Sequence, residues 1–177
     1  MTIMVQVKDE AAAMNRSPDH LLEPPKTPGL YLEDISVGDR FSGGAIAVTV
    51  ETIKAFAREF DPQPFHTDEA LARSTFFRGL AASGWHTASL TMSLVVQALP
   101  IAGGVIGGGV DELRWPAPLR PGDELRLEGE IMEVRPSRTK PGQGLVRVRT
   151  TTLNREGQAV QTMIANLVVP RRPTTDT

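Results

Sequence analysis

The chain has 177 residues, and its 19 Lys and Arg side chains against 21 Asp and Glu give a formal net charge of −2. This balance argues against a nucleic-acid-binding protein, which needs a basic surface to neutralise phosphates. The chain has no cysteine, which excludes disulfide scaffolds, thiol nucleophiles and cysteine-ligated zinc. With only three histidines, His20, His66 and His86, no histidine-rich metal site is expected.

The chain divides into an arm, a body and a tail. Residues 1–29 are polar, mixed in charge and without sustained periodicity, which indicates a flexible arm. The ordered domain is predicted over residues 30–170, and residues 171–177 are expected to form a frayed tail. No basic region followed by a continuous apolar run is present, so we expect no secretory signal and a cytoplasmic protein.

The first half of the body predicts a strand and then helices. Residues 41–50 are strand-like, and Thr49 can cap a helix whose apolar side chains recur with the helical period at Ile53, Phe56, Ala57 and Phe60. This helix is expected to end near Phe60, because Asp61 precedes a proline and is pushed to extended geometry. Thr67 is expected to cap a further short helix with acidic residues in its first turn.

The segment from Gly79 to Val110 contains no charged residue and is long enough to cross a membrane. Pro100 and the glycines after it would break such a helix midway and leave backbone groups unpaired in lipid. The segment therefore predicts a buried helix over about residues 84–99 and then a buried strand over 105–114, in which glycines serve close packing or subunit pairing. No association with a membrane is expected.

The last third of the chain alternates with the period of a β-strand. Apolar residues at Leu125, Leu127 and Ile131 are separated by charged residues, which is typical of a half-buried antiparallel strand. Residues 145–153 and 158–169 predict a hairpin. Together these elements indicate an α+β fold with an antiparallel sheet that can wrap the long helix.

Two stretches carry chemistry. In the first, Asp61 and His66 lie on a segment stiffened by two prolines, and a carboxylate beside an imidazole can hold and activate one water. Spacing alone favours a structural alternative, in which Asp61 ends a helix and His66 caps a backbone group. In the second, Ser83 and Gly84 precede the long helix, whose N-terminus stabilises a developing negative oxygen. An ordinary Ser83 cap is the alternative there.

These stretches resemble the MaoC-like dehydratases, a family that includes (R)-specific enoyl-CoA hydratases. Its hydratase motif, Asp-x-Asn-Pro-x-His and then a glycine at the start of the central helix, is matched by Asp61, His66 and Gly84. The sequence Arg120-Pro121-Gly122-Asp123 also matches the family pattern. The resemblance implies a hotdog fold, in which an antiparallel β-sheet wraps around a long central α-helix.

By this resemblance, Asp61 and His66 activate the water that is added to an enoyl thioester or removed from a 3-hydroxyacyl thioester. The backbone N–H of Gly84 is implied to polarise the thioester carbonyl. The resemblance thus implies a hydro-lyase of fatty acid metabolism with no metal or redox cofactor, CoA being part of the substrate. The resemblance also implies positions at the substrate site for four more residues. Gln63 stands where the family has Asn, and Ser83 stands where many hydratases have His. Phe65 and Trp85 are the other two, and burial in the core is the alternative for both.

The expected partners are an acyl-CoA or acyl-carrier thioester and a second copy of the chain. A single hotdog unit exposes a sheet edge and part of its central helix, so a homodimer or a larger even assembly is expected. One alternative function is a hotdog acyl-CoA thioesterase, which the absence of Asp and Glu from residues 84–99 disfavours. The other alternative is a non-catalytic protein that binds acyl thioesters.

Overall fold

The computed structural model describes residues 29–173, so most of the predicted arm, including His20, and residues 174–177 lie outside the described part of the chain. After a 3₁₀ turn at Leu32–Asp34, the helices are Val50–Phe60 (α1), Pro64–Thr67 (α2), Glu69–Ala72 (α3) and Gly84–Ala98 (α4). The strands are Arg40–Ala47 (β1), Ile106–Arg114 (β2), Glu124–Pro136 (β3), Gln143–Leu153 (β4) and Ala159–Pro170 (β5).

The five strands form one antiparallel sheet in the order β1-β3-β4-β5-β2. Helix α4 packs on one face of this sheet and contacts β1, β3 and β5. Leu94 and Val95 of α4 are buried against strand residues such as Leu127 and Val146. The predicted α+β architecture is confirmed, and the sheet wrapped around a long helix is the hotdog fold. Within residues 29–173, no helix is both long and apolar enough to span a bilayer.

The predicted boundaries of α1 are confirmed, but the predicted cap of the next helix is wrong. Thr49 Oγ1 accepts a hydrogen bond from the Thr52 N–H at 3.2 Å, and α1 ends at Phe60. The cap of α3 is Asp68, whose Oδ1 accepts from the N–H groups of Ala70 and Leu71 at 2.7 and 2.9 Å. Thr67 is the last residue of α2, where its hydroxyl donates back to the carbonyl of Gln63, and Asp68 is the residue that directly precedes α3.

The strand after the long helix is present, but it is not buried as predicted. Because β2 pairs only with β5, it forms the edge of the sheet, and Ile106 and Val110 are 55% and 56% exposed. A Cβ added at Gly107 or Gly109 would meet nothing within 4 Å. Close packing therefore does not explain these two glycines.

The two ends of the domain are joined by ion pairs. Arg171 Nε lies 2.8 Å from Glu33 Oε1, and Arg172 Nη2 lies 2.6 Å from Asp34 Oδ1. The Arg171 interaction lowers the pKa of Glu33 to about 2. The first residues after β5 are therefore held against the 3₁₀ turn, whereas the division into arm, domain and tail stays a prediction.

One close approach inside the sheet depends on a glycine. Gly129 on β3 pairs with Phe41 on β1, and a Cβ at Gly129 would collide with the Phe41 ring. The ring thereby covers the strand at the point where β3 has no side chain, and only 8% of Phe41 is exposed. An aromatic ring that covers a glycine of the neighbouring strand is a known way to pin strand register.

Gly129→Ala is expected to lower the free energy of unfolding by about 1–3 kcal/mol, because the added methyl group overpacks the contact with Phe41. Urea unfolding measures the change. Gly142→Ala is the matched control, since a Cβ at Gly142 meets nothing within 4 Å. The double variant Gly129→Ala with Phe41→Leu should lose less free energy of unfolding than the two single variants lose together. Strict additivity of the two losses would contradict the proposed clash.

Candidate active site

The two residues of the first motif meet at the end of α1. Asp61 is the C-cap of α1, and His66 lies in the single turn of α2, which Pro64 begins. Proline suits the first position of a helix because its fixed φ is already helical. His66 Nε2 lies 3.5 Å from Asp61 Oδ2, and only 4% of His66 is exposed. The structure therefore brings together the carboxylate and imidazole that sequence analysis paired.

A backbone carbonyl sets the orientation of the imidazole. His66 Nδ1 lies 2.7 Å from the carbonyl oxygen of Ala81. Since a carbonyl only accepts, Nδ1 carries a proton, and in the neutral form of the ring Nε2 presents a lone pair toward Asp61. An ionised carboxylate and this lone pair are both acceptors, so together they can receive the two O–H groups of one water molecule.

Two hydrogen bonds hold the Asp61 carboxylate. Gln63 Nε2 donates to Oδ1 at 2.8 Å, and Ser83 Oγ donates to Oδ2 at 2.7 Å. Burial opposes ionisation of Asp61, but these two hydrogen bonds, with a smaller coulombic contribution from His66 in its protonated form, outweigh it, so that the pKa of Asp61 lies below its ordinary value. Asp61 is therefore a carboxylate at neutral pH.

Ser83 has two functions at the start of α4. Its side chain is fully buried, and its Oγ accepts from the N–H of Trp85 at 3.2 Å while donating to Asp61. The structural prediction of a Ser83 cap is confirmed, and the same hydroxyl links the helix N-terminus to the carboxylate. The N–H of Gly84 is among the first of α4, and such groups have no carbonyl partner within their own helix.

Trp115 explains why residue 84 is a glycine. A Cβ on Gly84 would lie 2.8 Å from Cδ2 and Cε2 of Trp115. The Trp115 indole N–H donates to Oε1 of the buried Gln161 at 2.9 Å, which fixes the ring against the backbone of Gly84. The indole of Trp85 meets Trp115 edge to face, with centroids 5.6 Å apart. Two aromatic rings thus border the start of α4.

Phe65, Trp85 and His86 differ in how deeply each side chain is buried. Phe65 is half-buried with its ring edge-on to His66, at a centroid distance of 4.5 Å. Trp85 is 61% exposed, so its alternative placement in the core is wrong. His86 is buried and stacked on Phe56 at 4.7 Å, and burial lowers the pKa of its imidazole.

Arg120 holds the loop that orients His66, a function that sequence analysis missed. Its Nη1 donates to the carbonyls of Gly79 and Leu80 at 2.9 and 3.1 Å, and its Nη2 donates to the carbonyl of Phe77 at 2.6 Å. The next carbonyl along this loop is that of Ala81, the partner of His66. The Arg120-Pro121-Gly122-Asp123 motif was the available signal, whereas nothing in the sequence marks Ala81.

Among the residues that the structure describes, no three His, Cys, Asp or Glu side chains are grouped so that they could hold a metal ion. Asp61 and His66 are thus a pair without a third such group beside them.

Comparisons with known proteins give a matching family and similar solved structures. The family described as MaoC like domain matches residues 36–154. A MaoC-like dehydratase from Rhodospirillum rubrum is 53% identical, with a TM-score of 0.79 over 82% of this chain and 99% of that one. The R-hydratase PhaJ1 from Pseudomonas aeruginosa is 26% identical, with a TM-score of 0.67 over 81% and 88%. An (R)-hydratase from A. caviae involved in PHA biosynthesis is 28% identical, with a TM-score of 0.63 over 79% and 99%.

Ser83→Ala is expected to raise the pKa of Asp61, because it removes a hydrogen bond to the ionised carboxylate while most of the burial remains. Carboxyl titration by NMR measures this shift. Ser89→Ala is the matched control on the same helix, since within the described residues the Ser89 hydroxyl bonds to the carbonyl of Trp85 alone. An unchanged Asp61 titration in Ser83→Ala would contradict the assigned hydrogen bond.

Stability supplies a second readout for the same variant. A carboxyl group whose folded-state pKa is lowered stabilises the protein above its unfolded pKa, near 3.8, and this contribution is lost as the pH falls through the folded pKa. Part of the stability that Ser83→Ala loses is due to the raised pKa of Asp61. This part should therefore have its full size at neutral pH and disappear in acid. Loss of the helix cap adds a further cost of about 0.5–2 kcal/mol.

Proposed function

The chain belongs to the MaoC-like domain family, and on this premise we propose that it adds water to enoyl thioesters and, in reverse, removes water from 3-hydroxyacyl thioesters. The observation that carries the proposal is the pairing of Asp61 Oδ2 with His66 Nε2 at 3.5 Å, in a ring whose Nδ1 lies 2.7 Å from the Ala81 carbonyl oxygen. The solved R-hydratases from Pseudomonas aeruginosa and A. caviae, both more than a quarter identical to this chain, support it.

In the proposed reaction, one water donates its hydrogen bonds to Asp61 Oδ2 and His66 Nε2. The water oxygen forms a bond to the β-carbon of the enoyl group, and one of its protons passes to the Asp61–His66 pair. The pair returns a proton to the α-carbon, so that one water is added across the double bond and the side chains regain their starting states. The reaction requires no oxidant, reductant or metal from the protein.

The backbone N–H of Gly84 is assigned the stabilisation of the negative charge that develops on the thioester oxygen. When water attacks the β-carbon, the carbonyl becomes enolate-like, and a backbone N–H at a helix N-terminus stabilises such an oxygen. Loss of one donor of this kind typically slows a reaction by about 10²–10³-fold. Trp115 keeps the approach to this N–H narrow, because its ring packs directly on Gly84.

Gln63 and Ser83 are proposed to position the carboxylate, each through one carboxylate oxygen. Phe65 and Trp85 are proposed to border the acyl group, and the proposed substrate is an acyl-CoA or acyl-carrier thioester of the (3R) series. CoA enters only as part of this substrate.

Asp61→Asn and His66→Gln are each expected to reduce the hydration of crotonyl-CoA by at least about 10²–10⁴-fold, the usual contribution of a general acid or base. The assay follows the absorbance of the conjugated double bond, and circular dichroism verifies the fold. Asp68→Asn is the matched control, because the Asp68 carboxylate caps α3 by accepting from the N–H groups of Ala70 and Leu71.

Three results would contradict the proposal. Full hydration activity in both variants would remove the assigned roles. Release of free CoA thiol without hydration would identify a thioesterase, and tight binding of enoyl-CoA thioesters of several chain lengths without turnover would identify a binding protein.

We also propose that the protein is a homodimer that uses the β2 edge. Within residues 29–173, β2 pairs with β5 alone, and its apolar side chains Ile106 and Val110 are exposed, as are Met92 and Val96 of α4. An edge with open backbone groups and apolar side chains is a template for pairing with a second strand.

Val110→Lys is expected to shift the protein from dimer to monomer, because a charged side chain on an edge strand opposes pairing. Light scattering coupled to gel filtration should give about twice 19.2 kDa for the wild type and about 19.2 kDa for the variant. Val37→Lys is the control, since Val37 is similarly exposed, at 64%, but lies in the turn before β1. A monomeric wild type would contradict the proposal.

A further inference from the structure

A basic depression lies beside the loop that carries the His66 partner. Arg73, Arg78 and Arg120 line this open depression of about 450 Å³ together with Gly79, Leu80 and Glu69. None of these residues takes part in the proposed proton transfers. The three guanidinium groups come from the end of α3, the loop that follows it and the turn before β3, so the fold collects them from separate parts of the chain.

The charge of this depression is not neutralised locally. Its one lining carboxylate, Glu69, is engaged by Lys54, whose Nζ lies 2.7 Å from Glu69 Oε1. Within residues 29–173, neither Arg73 nor Arg78 forms an ion pair. Carboxylate partners are present for Arg114, Arg126, Arg135, Arg147, Arg149, Arg171 and Arg172, whereas Arg40, Arg58, Arg138 and Arg155 resemble Arg73 and Arg78 in having none within these residues.

Arg120 adds a positive charge that no carboxylate compensates. Its guanidinium donates to three backbone carbonyls, and the Asp123 carboxylate accepts from the Arg120 backbone N–H rather than from its side chain. The depression therefore combines fixed positive charge from Arg120 with the unpaired Arg73 and Arg78, a combination that attracts an anion.

The backbone at Arg78 is strained. Its φ of 53° is the only positive φ at a non-glycine residue between residues 29 and 173. The left-handed region costs an L-residue with a Cβ about 1–2 kcal/mol, and such strain is concentrated at functional sites. The hydrogen bonds of Arg120 to the carbonyls of Phe77, Gly79 and Leu80, on both sides of Arg78, maintain this conformation.

We propose that this depression binds the phosphate groups at the CoA end of the substrate, with Arg73 and Arg78 as the direct phosphate ligands. The inference rests on the proposed function and extends it to the carrier. Leu80 lines the depression and lies four residues before Gly84, so their Cα atoms are at most about 14 Å apart. The flexible pantetheine arm, which separates the thioester from the phosphates, can bridge such a distance.

Three probes that differ in phosphate content test the subsite: CoA, phosphopantetheine and pantetheine. Calorimetry on the wild type should rank their affinities in that order, because charge-assisted hydrogen bonds from arginine to phosphate are strong. The double variant Arg73→Gln with Arg78→Asn should lose about tenfold to a hundredfold in affinity for CoA and bind pantetheine as the wild type does. Asn suits position 78 because it tolerates the left-handed region.

Arg138→Gln is the matched control, since Arg138 is an exposed arginine in the turn between β3 and β4 and lies outside the lining of the depression. It should leave the affinity for all three probes unchanged. Equal affinities of the wild type for CoA and pantetheine would overturn the inference. So would a preference for CoA that survives in the double variant or disappears in Arg138→Gln.

The same proteins assayed with crotonyl-CoA separate this inference from the proposed function. If the protein hydrates crotonyl-CoA but its preference for CoA does not depend on Arg73 and Arg78, the result contradicts the phosphate subsite alone. A CoA preference that depends on Arg73 and Arg78, in a protein that does not hydrate the thioester, contradicts the proposed reaction alone.

Discussion

The candidate site depends on the guanidinium of Arg120, which binds the backbone carbonyls of the loop over residues 77–81. Three carbonyls, those of Phe77, Gly79 and Leu80, converge on its guanidinium, and the next carbonyl binds His66 Nδ1. A loop with this many inward carbonyls needs a donor, since unpaired buried carbonyls are costly. Arginine supplies several N–H groups in one plane, so a single residue satisfies the loop and leaves the Ala81 carbonyl to fix the tautomer of His66.

The carboxylate is held by a different part of the fold. Asp61 ends α1, and its oxygens accept from Gln63, two residues later, and from Ser83 at the start of α4. These hydrogen bonds overcome the effect of burial and keep the pKa of Asp61 low. Because Ser83 also caps α4, the position of the carboxylate is tied to the N-terminus that presents the Gly84 N–H, and so the groups proposed to act on water and on the carbonyl share one support.

Local rules predicted the elements well where a residue had one structural option. Thr49 capped α1, and a proline after Asp61 ended it, because both effects act over a few residues. The rules failed where two neighbouring residues could each cap a helix, and where the pairing of distant strands determined which strand is buried. Asp68 rather than Thr67 caps α3, since Thr67 is the last residue of α2 and Asp68 directly precedes α3. The apolar first half of β2 is exposed because the sheet order, which no local pattern specifies, places this strand at an edge.

By itself, the sequence determined an α+β fold through its periodicities, with an antiparallel sheet able to wrap a long helix. The resemblance of its motifs to one family implied the hotdog architecture, the pairing of Asp61 with His66 and the position of Gly84 at the start of the long helix. Only the tertiary structure decided which residues support that pair. Ala81, Ser83, Trp115 and Arg120 come from separate elements, and their hydrogen bonds and close contacts form only when the sheet closes around α4. Such contacts between distant residues leave no periodic signal, because each one depends on the three-dimensional course of the chain between its partners.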